Sequence, residues 1–165
     1  MRVRGTSMKC IEARIEIADE LQSIYESWTE KEAVTGHACE KDYMLKAINH
    51  EDLPPIEGAS KDNHILYVYY DQGKLIGFTD VYLGYPDKTC LWIGLMVVDK
   101  KYRQRGYGQK IIESLIMKYP TYHIGIGVDT KNLSGLKFWH KQGFNDLFSV
   151  HINEAYGLLG LKRNV

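Results

Sequence analysis

The stretch RQRGYGQK, residues 103–110, decides the fold because it separates two segments of different periodicity. Before it, CLWIGLMVV (90–98) is a short apolar run of the kind found in buried strands. After it, IIESLIMKYP (111–120) carries apolar residues at helical spacing and ends at a proline. The stretch is therefore predicted to be a strand-to-helix junction, and the chain around it to be an α/β domain.

The junction has the parts of an anion site. Backbone N–H groups at a helix start, with the helix dipole behind them, attract phosphate, and Gly106 and Gly108 would let its oxygens come close. Arg103 and Arg105 add positive charge. The junction is neither a nucleotide P-loop, since no Gly-Lys-Ser/Thr follows, nor a dinucleotide fingerprint, since Ile111 holds the third glycine position. A plain helix cap is the alternative interpretation.

Length and charge limit the possible functions. The chain of 165 residues is long enough for one domain with its own core. We expect this domain to cover residues 9–165 and residues 1–8 to be an N-terminal extension. The 21 basic and 21 acidic residues cancel, so the overall charge indicates neither a nucleic-acid nor an anionic-membrane partner.

The cysteines and histidines indicate no metal chemistry. Cys10, Cys39 and Cys90 are odd in number, widely spaced and without a Cys-x-x-Cys pair, which favours a reducing, cytoplasmic setting. The first residues are too charged for a signal peptide, and no apolar run reaches membrane-spanning length. The six histidines show no metal-ligand spacing, so we expect them at surface or helix-cap positions.

Periodicity predicts strands and helices along the whole domain. The turn signals DQGK and PDKT separate three central strands that we expect to be antiparallel. The fold class is therefore a mixed, mostly antiparallel sheet with helices. The predicted strands are 9–17, 64–70, 74–85, 90–98, 121–130, 146–152 and 156–165, and the predicted helices are 18–34, 40–48, 108–118 and 132–142.

One predicted strand carries glycine at alternate positions. In HIGIGV (123–128), Gly125 and Gly127 alternate with apolar residues, so one face of the strand lacks side chains. We expect either another backbone or a ligand close to that face.

Two motifs and the order of the elements resemble the GNAT family of N-acetyltransferases. The family's pyrophosphate motif, Gln/Arg-x-x-Gly-x-Gly/Ala, is matched by Arg103, Gly106 and Gly108. A second family pattern is an Asn, a small residue three later, an aromatic residue seven later, and then Gly-Phe. It is matched in register by Asn132, Gly135, Trp139, Gly143 and Phe144.

The resemblance implies a fold and a donor site. In this family the sheet has helices on both faces, and acetyl-CoA lies in a V-shaped opening between the fourth and fifth strands. The backbone near Met96 and Val98 would pair with the pantetheine arm, and the junction would hold the pyrophosphate. The residues expected to bind the cofactor are Met96, Val97, Val98, Arg103, Gln104, Arg105, Gly106, Tyr107, Gly108 and Asn132.

The expected acid and base differ from the family's usual pattern. Members often place a carboxylate on the fourth strand, but the matching position here is Gly94, so Asp80 is our first candidate for the base and Asp129 the second. Solvated or turn carboxylates remain the simpler interpretation of both. Many members have a tyrosine acid where this chain has Trp139, which cannot release a proton at usable pH, so we expect Trp139 to pack against the cofactor.

The resemblance implies acetyl transfer from acetyl-CoA to the primary amine of a small molecule or peptide. Tyr82 and Tyr85 lie near the loop that would face this acceptor, and an aromatic side chain there could contact an amine. A homodimer through the C-terminal hairpin is possible. The alternatives are a non-catalytic acyl-CoA-binding domain, or an unrelated α/β protein whose junction is a plain helix cap.

Overall fold

The computed structural model describes residues 8–165, which form a seven-stranded sheet in the order β1-β2-β3-β4-β5-β7-β6. Neighbouring strands are antiparallel except for the parallel pair β4–β5. Residues 1–7, which are most of the expected N-terminal extension, lie outside the described range. The strands are β1 (Lys9–Glu12), β2 (His64–Asp71), β3 (Lys74–Leu83), β4 (Cys90–Val98), β5 (His123–Asp129), β6 (Asp146–Ile152) and β7 (Gly157–Arg163), and the helices are α1 (Ala18–Glu26), α2 (Lys31–Thr35), α3 (Tyr43–Ile48), α4 (Tyr107–Lys118) and α5 (Leu133–Lys141).

Helices cover both faces of the sheet, as predicted. On one face, α4 buries Ile111, Ile112 and Leu115 against the sheet, and aromatic residues of α5 pack beside them. On the other face, α1 and α3 form a second core cluster that includes Leu21 and Met44. The expected fold class, a mixed and mostly antiparallel sheet between helices, is confirmed. Within residues 8–165, no helix has both the length and the apolar character to cross a membrane.

The predicted helix 18–34 is interrupted near Ser27. The Ser27 hydroxyl donates to the carbonyl of Ile24 at 2.6 Å and accepts from the backbone N–H of Lys100 at 3.1 Å. These bonds fasten the end of α1 to the segment after β4, and α2 starts afresh at Lys31. The helical pattern continues through this point, so a contact between segments distant in sequence ends the helix.

The predicted first strand, 9–17, is also shorter than expected. Pairing of β1 with β2 ends at Glu12, and residues Ile15–Ile17 form a 3-10 turn that leads directly into α1. Asp19 and Glu20 lie in the first turn of α1, where their charges suit the positive end of the helix dipole. Alternation of polar and apolar residues did not distinguish this turn from a strand.

A β-bulge lies in the middle of the sheet. Asp80 of β3 pairs with Leu95, and the next residue, Val81, pairs with Ile93, so Gly94 of β4 has no partner on β3. A bulge places two residues opposite one and changes the direction of the strand. This irregularity lies at the position where β4 also leaves its other neighbour.

The strands β4 and β5 separate along their length. Their register runs from the Cys90–His123 pair to the Ile93–Ile126 pair and then ends. Beyond it, the β5-facing backbone groups of residues 95–98 have no strand partner in the described part of the chain. The sheet therefore has an opening between β4 and β5, as the family resemblance implied.

Candidate active site

A cavity of about 730 Å³ fills the opening between β4 and β5. It is lined by Gly94 and its successors on β4, by the end of β5, by the start of α4 and by α5. Trp28, Lys31 and Thr35 line it from the opposite face of the sheet. Of the residues predicted to bind the cofactor, all except Arg105 line this cavity, namely Met96, Val97, Val98, Arg103, Gln104, Gly106, Tyr107, Gly108 and Asn132.

The junction before α4 is built for a helix start without a side-chain cap. Gly106 is the N-cap residue with φ +81°, in the left-handed region, and it offers no side-chain acceptor to the helix. Gln104 also has a positive φ, +64°. The first N–H groups of a helix lack partners inside it. The first turn of α4 therefore presents backbone donors at the cavity.

The two arginines of the junction have different surroundings. Arg103 donates from Nε to the Val98 carbonyl at 3.1 Å, and its guanidinium lies 3.6 Å from the Glu30 carboxylate. Arg105 is exposed, with its guanidinium over the Tyr102 ring at 5.8 Å from the centroid. Arg103 therefore braces the junction against β4, and Arg105 is the arginine better placed to meet an anion from solvent.

Two of the motif residues have clear packing roles. A Cβ on Gly108 would lie 2.9 Å from Cζ of Phe138, so this glycine lets α4 and α5 approach each other. Asn132 caps α5, because its Oδ1 accepts the N–H of Gly135 at 3.0 Å. A Cβ on Gly135 would overlap the Asn132 amide. Helix capping alone thus accounts for the spacing of Asn132 and Gly135, although Asn132 also lines the cavity.

The glycine face of β5 is covered by the side chain of Trp92, and not by another backbone or a ligand as expected. A Cβ on Gly125 would lie 3.0 Å from Sγ of Cys90 and 3.1 Å from Cε3 of Trp92. Gly127 faces the same indole at 3.5 Å. The two glycines make room for Trp92, and only Gly127 also lines the cavity.

The first candidate base, Asp80, lies at the bulge between β3 and β4. Asp80 is 6% exposed, and its Oδ1 would be 3.9 Å from a Cβ on Gly94. The Tyr43 hydroxyl donates to Oδ2 at 2.9 Å, and Nε2 of His64 lies 2.6 Å from Oδ1. Because Gly94 has no side chain, β4 places none between this carboxylate and the cavity. The carboxylate is thus held on two sides, and Asp80 does not itself line the cavity, whereas the neighbouring Gly94 does.

Two histidines complete this cluster, and sequence reasoning missed them. His64 is 3% exposed, which contradicts its expected surface position, and its Nδ1 lies 2.7 Å from Nδ1 of His50. The available signal was a histidine at the start of an apolar strand, which pairs across the sheet with Tyr82. The sequence position of His64 does not by itself predict burial. The burial becomes evident only when β3, which carries Asp80, is known to lie beside β2.

The second candidate base lies on another side of the cavity. Asp129 ends β5 and is half-buried, and burial raises the pKa of its carboxyl. Trp139 also lines the cavity, with its ring against Phe138 and Phe144 at centroid distances of 5.0 and 4.9 Å. Trp139 thus packs against aromatic residues of the protein, and its contact with the cofactor stays a prediction.

The tyrosines proposed for the acceptor are not at the cavity wall. Tyr82 is 4% exposed, and its hydroxyl accepts the backbone N–H of Ser60 at 3.0 Å, which gives it a structural role. Tyr85 packs edge-on against Trp92 at 5.1 Å. No group of three or more His, Cys, Asp or Glu side chains that could hold a metal occurs among residues 8–165.

A match to a family model identifies the family of this chain. The model of the acetyltransferase (GNAT) family matches residues 18–144. The chain belongs to the GNAT family. This GNAT domain contains the matched segment from α1 to Phe144, which includes the cavity and the Asp80 cluster. Acetyl transfer is therefore the general activity that its family membership supports. The comparison with curated proteins found no match.

Solved structures share the fold of this GNAT domain at low sequence identity. An acetyltransferase from Thermus thermophilus has a TM-score of 0.75 and 15% identity, with 97% of this chain and 98% of that chain covered. The acetyl transferase of Salmonella typhimurium that modifies the N-terminal serine of ribosomal protein L7/L12 has a TM-score of 0.74 and 12% identity, with 97% and 96% covered. The ribosomal-protein-S18-alanine N-acetyltransferase of Escherichia coli has a TM-score of 0.70 and 10% identity, with 96% and 95% covered.

Proposed function

We propose that this GNAT domain transfers the acetyl group of acetyl-CoA to a primary amine of a small molecule or peptide, by direct attack in a ternary complex. The observation that carries the proposal is the Asp80 carboxylate beside Gly94, where β4 and β5 separate. The proposed proton acceptor thus lies next to Gly94, which lines the cavity.

The cavity fits the donor at both of its ends. The edge of residues 95–98 has no neighbouring strand on the β5 side and suits an extended chain with amide groups, which would bind as an added strand. The uncapped start of α4, together with Arg105, suits a pyrophosphate. Acetyl-CoA has both chemical features and supplies an acetyl thioester. The same features would suit other acyl-CoA molecules with a small acyl group.

Asp80 is the proposed base, because the amine must lose a proton before it attacks. An alkyl ammonium with a pKa of about 10 is almost wholly charged at neutral pH. Asp80 accepts one proton from it, and the nitrogen lone pair then forms the bond to the acetyl carbon as the carbon–sulfur bond breaks. The second nitrogen-bound proton ends on sulfur, so the products are the acetamide, coenzyme A thiol and one proton on Asp80. Asp129 remains the second candidate.

No side chain is proposed as the acid. Trp139 is the aromatic residue at the matching position, and its indole N–H does not ionise at usable pH. A thiol has a pKa near 8.5, so thiolate is a tolerable leaving group and can receive the second amine proton by way of water. Trp139 would then shape the cavity without transferring a proton.

The proposal gives the chemical class of the acceptor, the cellular setting and the oligomeric state. Balanced charge excludes no amine, and Tyr85 stays a predicted acceptor contact. The free cysteines Cys10, Cys39 and Cys90 agree with the predicted cytoplasmic setting. The edge strand β6 exposes apolar side chains such as Ile152, which is consistent with the predicted homodimer.

The experiment measures thiol release from acetyl-CoA against a panel of small amines and peptide N-termini, with Asp80→Asn alongside the wild type. We expect amine-dependent thiol release, and a loss of about 10²–10⁴-fold in Asp80→Asn with unchanged circular dichroism. An equal loss in Asp129→Asn and none in Asp80→Asn would assign the base to Asp129. Tight acetyl-CoA binding without amine-dependent release would favour a non-catalytic acyl-CoA-binding domain.

A further inference from the structure

Three polar side chains in contact, Asp80, His64 and His50, form a row from the region beside Gly94 to the protein surface. Asp80 Oδ1 lies 2.6 Å from Nε2 of His64, and the other ring nitrogen of His64 lies 2.7 Å from Nδ1 of His50. His64 is 3% exposed, whereas His50 is only half-buried. The row therefore begins at the proposed base and ends at a histidine that solvent can reach.

The distances restrict where the protons of these three side chains lie. Two nitrogens at 2.7 Å need one proton between them, and so do a nitrogen and a carboxylate oxygen at 2.6 Å. When Asp80 is ionised, His64 donates to it from Nε2. The Nδ1 of His64 then either accepts from a neutral His50 or, as part of an imidazolium, donates to it. These two states differ by one proton.

The surroundings favour the exchange of that proton over its permanent retention. Burial and the nearby His64 lower the pKa of His50. Negative charge close by comes from Asp80, Asp52 on the loop after α3 and Glu12 of β1, and positive charge comes from Lys61. Burial and the Asp80 charge raise the pKa of Tyr43, so its hydroxyl remains a donor to Oδ2 throughout.

The backbone at His50 closes the C-terminus of α3. His50 has φ +56°, in the left-handed region, and follows the end of α3. This is the conformation of a helix C-terminal cap, in which the N–H of Glu51 donates to the Lys46 carbonyl at 2.9 Å. The rings of His50 and His64 meet edge to face, with centroids 5.0 Å apart.

We propose that His64 and His50 are positioning residues that set the proton state of Asp80, an inference that rests on the proposed function. With no extra proton on the pair, His64 is neutral and Asp80 is a carboxylate ready to accept from the amine. With one extra proton, His64 is an imidazolium paired to Asp80, which lowers the basicity of the carboxylate. Turnover therefore rises with pH as the pair loses this proton.

The first part of the test needs no activity. Nitrogen-15 NMR of the histidine side chains, recorded against pH, should show His50 and His64 titrating as a coupled pair. His50→Gln should change the pH dependence of the His64 signals, since a neutral partner replaces a titrating one. The exposed His151 serves as the matched control, because His151→Gln should leave the pair unchanged. Independent titration of the two histidines would overturn the proposal.

The second part measures kcat/KM against pH for the same proteins. In wild type and His151→Gln we expect kcat/KM to fall at low pH. The midpoint of this acid limb should be the pH at which the His50–His64 pair takes up its extra proton. In His50→Gln this limb should move while the plateau at high pH stays within about threefold, because Asp80 and its direct partner are intact. His64→Gln, which retains an N–H donor for Asp80, should abolish the histidine-dependent part of the limb.

The outcomes separate the two proposals. An acid limb that is identical in wild type and His50→Gln would overturn the role of the pair even if acetylation occurs. A wild type that acetylates no amine at any pH would count against the proposed function. The NMR titration would then still decide whether the two histidines share a proton.

Discussion

The carboxylate of Asp80 lies 3.9 Å from the point where a side chain on Gly94 would begin. Asp80 belongs to β3 and Gly94 to β4, and the bulge brings them together. A base supplied by the fourth strand and a base supplied by the third could therefore reach the same region. This relationship makes the location of the base open to experiment.

The first prediction is a rescue across the two strands. Gly94→Glu in the Asp80→Asn background should recover about tenfold or more of the lost turnover, because a carboxylate returns to the same region. The substitution fits, since the nearest atoms to a Cβ on Gly94 are at 3.7 and 3.9 Å. Thiol-release rates for the single and double variants measure the recovery. The control is Gly94→Gln, and equal rates for Glu and Gln would contradict the prediction.

The second prediction concerns Trp139. Trp139→Phe should keep substantial turnover, because the ring packs between Phe138 and Phe144 and transfers no proton. Trp139→Ala should lower the free energy of unfolding by no more than about 3–5 kcal/mol. This range applies to a fully buried Trp, and Trp139 is only half-buried. Turnover and thermal unfolding are measured together. A several-hundredfold loss of turnover in a folded Trp139→Phe would assign this residue a chemical role.

The third prediction concerns the pyrophosphate. Arg105→Ala should weaken acetyl-CoA binding by about tenfold, because a charge-assisted contact contributes about 1.5–3 kcal/mol when well formed and less when exposed. Calorimetric titration measures the change in Kd, with exposed Arg14→Ala as the matched control. Equal affinities for both variants would remove Arg105 from the site. Gly108→Ala is a poorer probe, because the added methyl group would meet Phe138.

The fourth prediction concerns the glycine face of β5. Gly125→Ala should destabilise the fold by about 1–3 kcal/mol, because the added methyl group meets Cys90 and Trp92. Trp92→Leu should relieve part of this effect, so the double variant should lose less stability than the two single losses added together. Denaturant unfolding gives these values. A stable Gly125→Ala that has lost acetyl-CoA affinity would restore a cofactor role for this face.

Much of the fold could be predicted because it is encoded locally. The junction 103–110, the central hairpins and the C-terminal hairpin are marked by changes of periodicity and by turn residues. The break after α1 could not be predicted in the same way. It depends on the hydroxyl of Ser27 accepting from Lys100, which lies far along the chain.

The residues of the site also divide into those that a local motif predicts and those that depend on contacts between distant segments. The donor-binding residues follow one another along β4 and the start of α4, so a motif describes them. The Asp80 cluster joins side chains of α3, of the segment after α3, of β2 and of β3, and no local pattern contains all of them. The glycines of β5 were expected to face another backbone or a ligand, and they face the Trp92 side chain instead.

The cavity is lined from both faces of the sheet, by α4 and α5 on one side and by Trp28, Lys31 and Thr35 on the other. Two molecules that enter from opposite faces do not have to pass each other. Donor and acceptor could then load in either order, and the acetylated product could depart while coenzyme A is still bound. A gap between two strands thus bears on the kinetic order of the reaction as well as on its location.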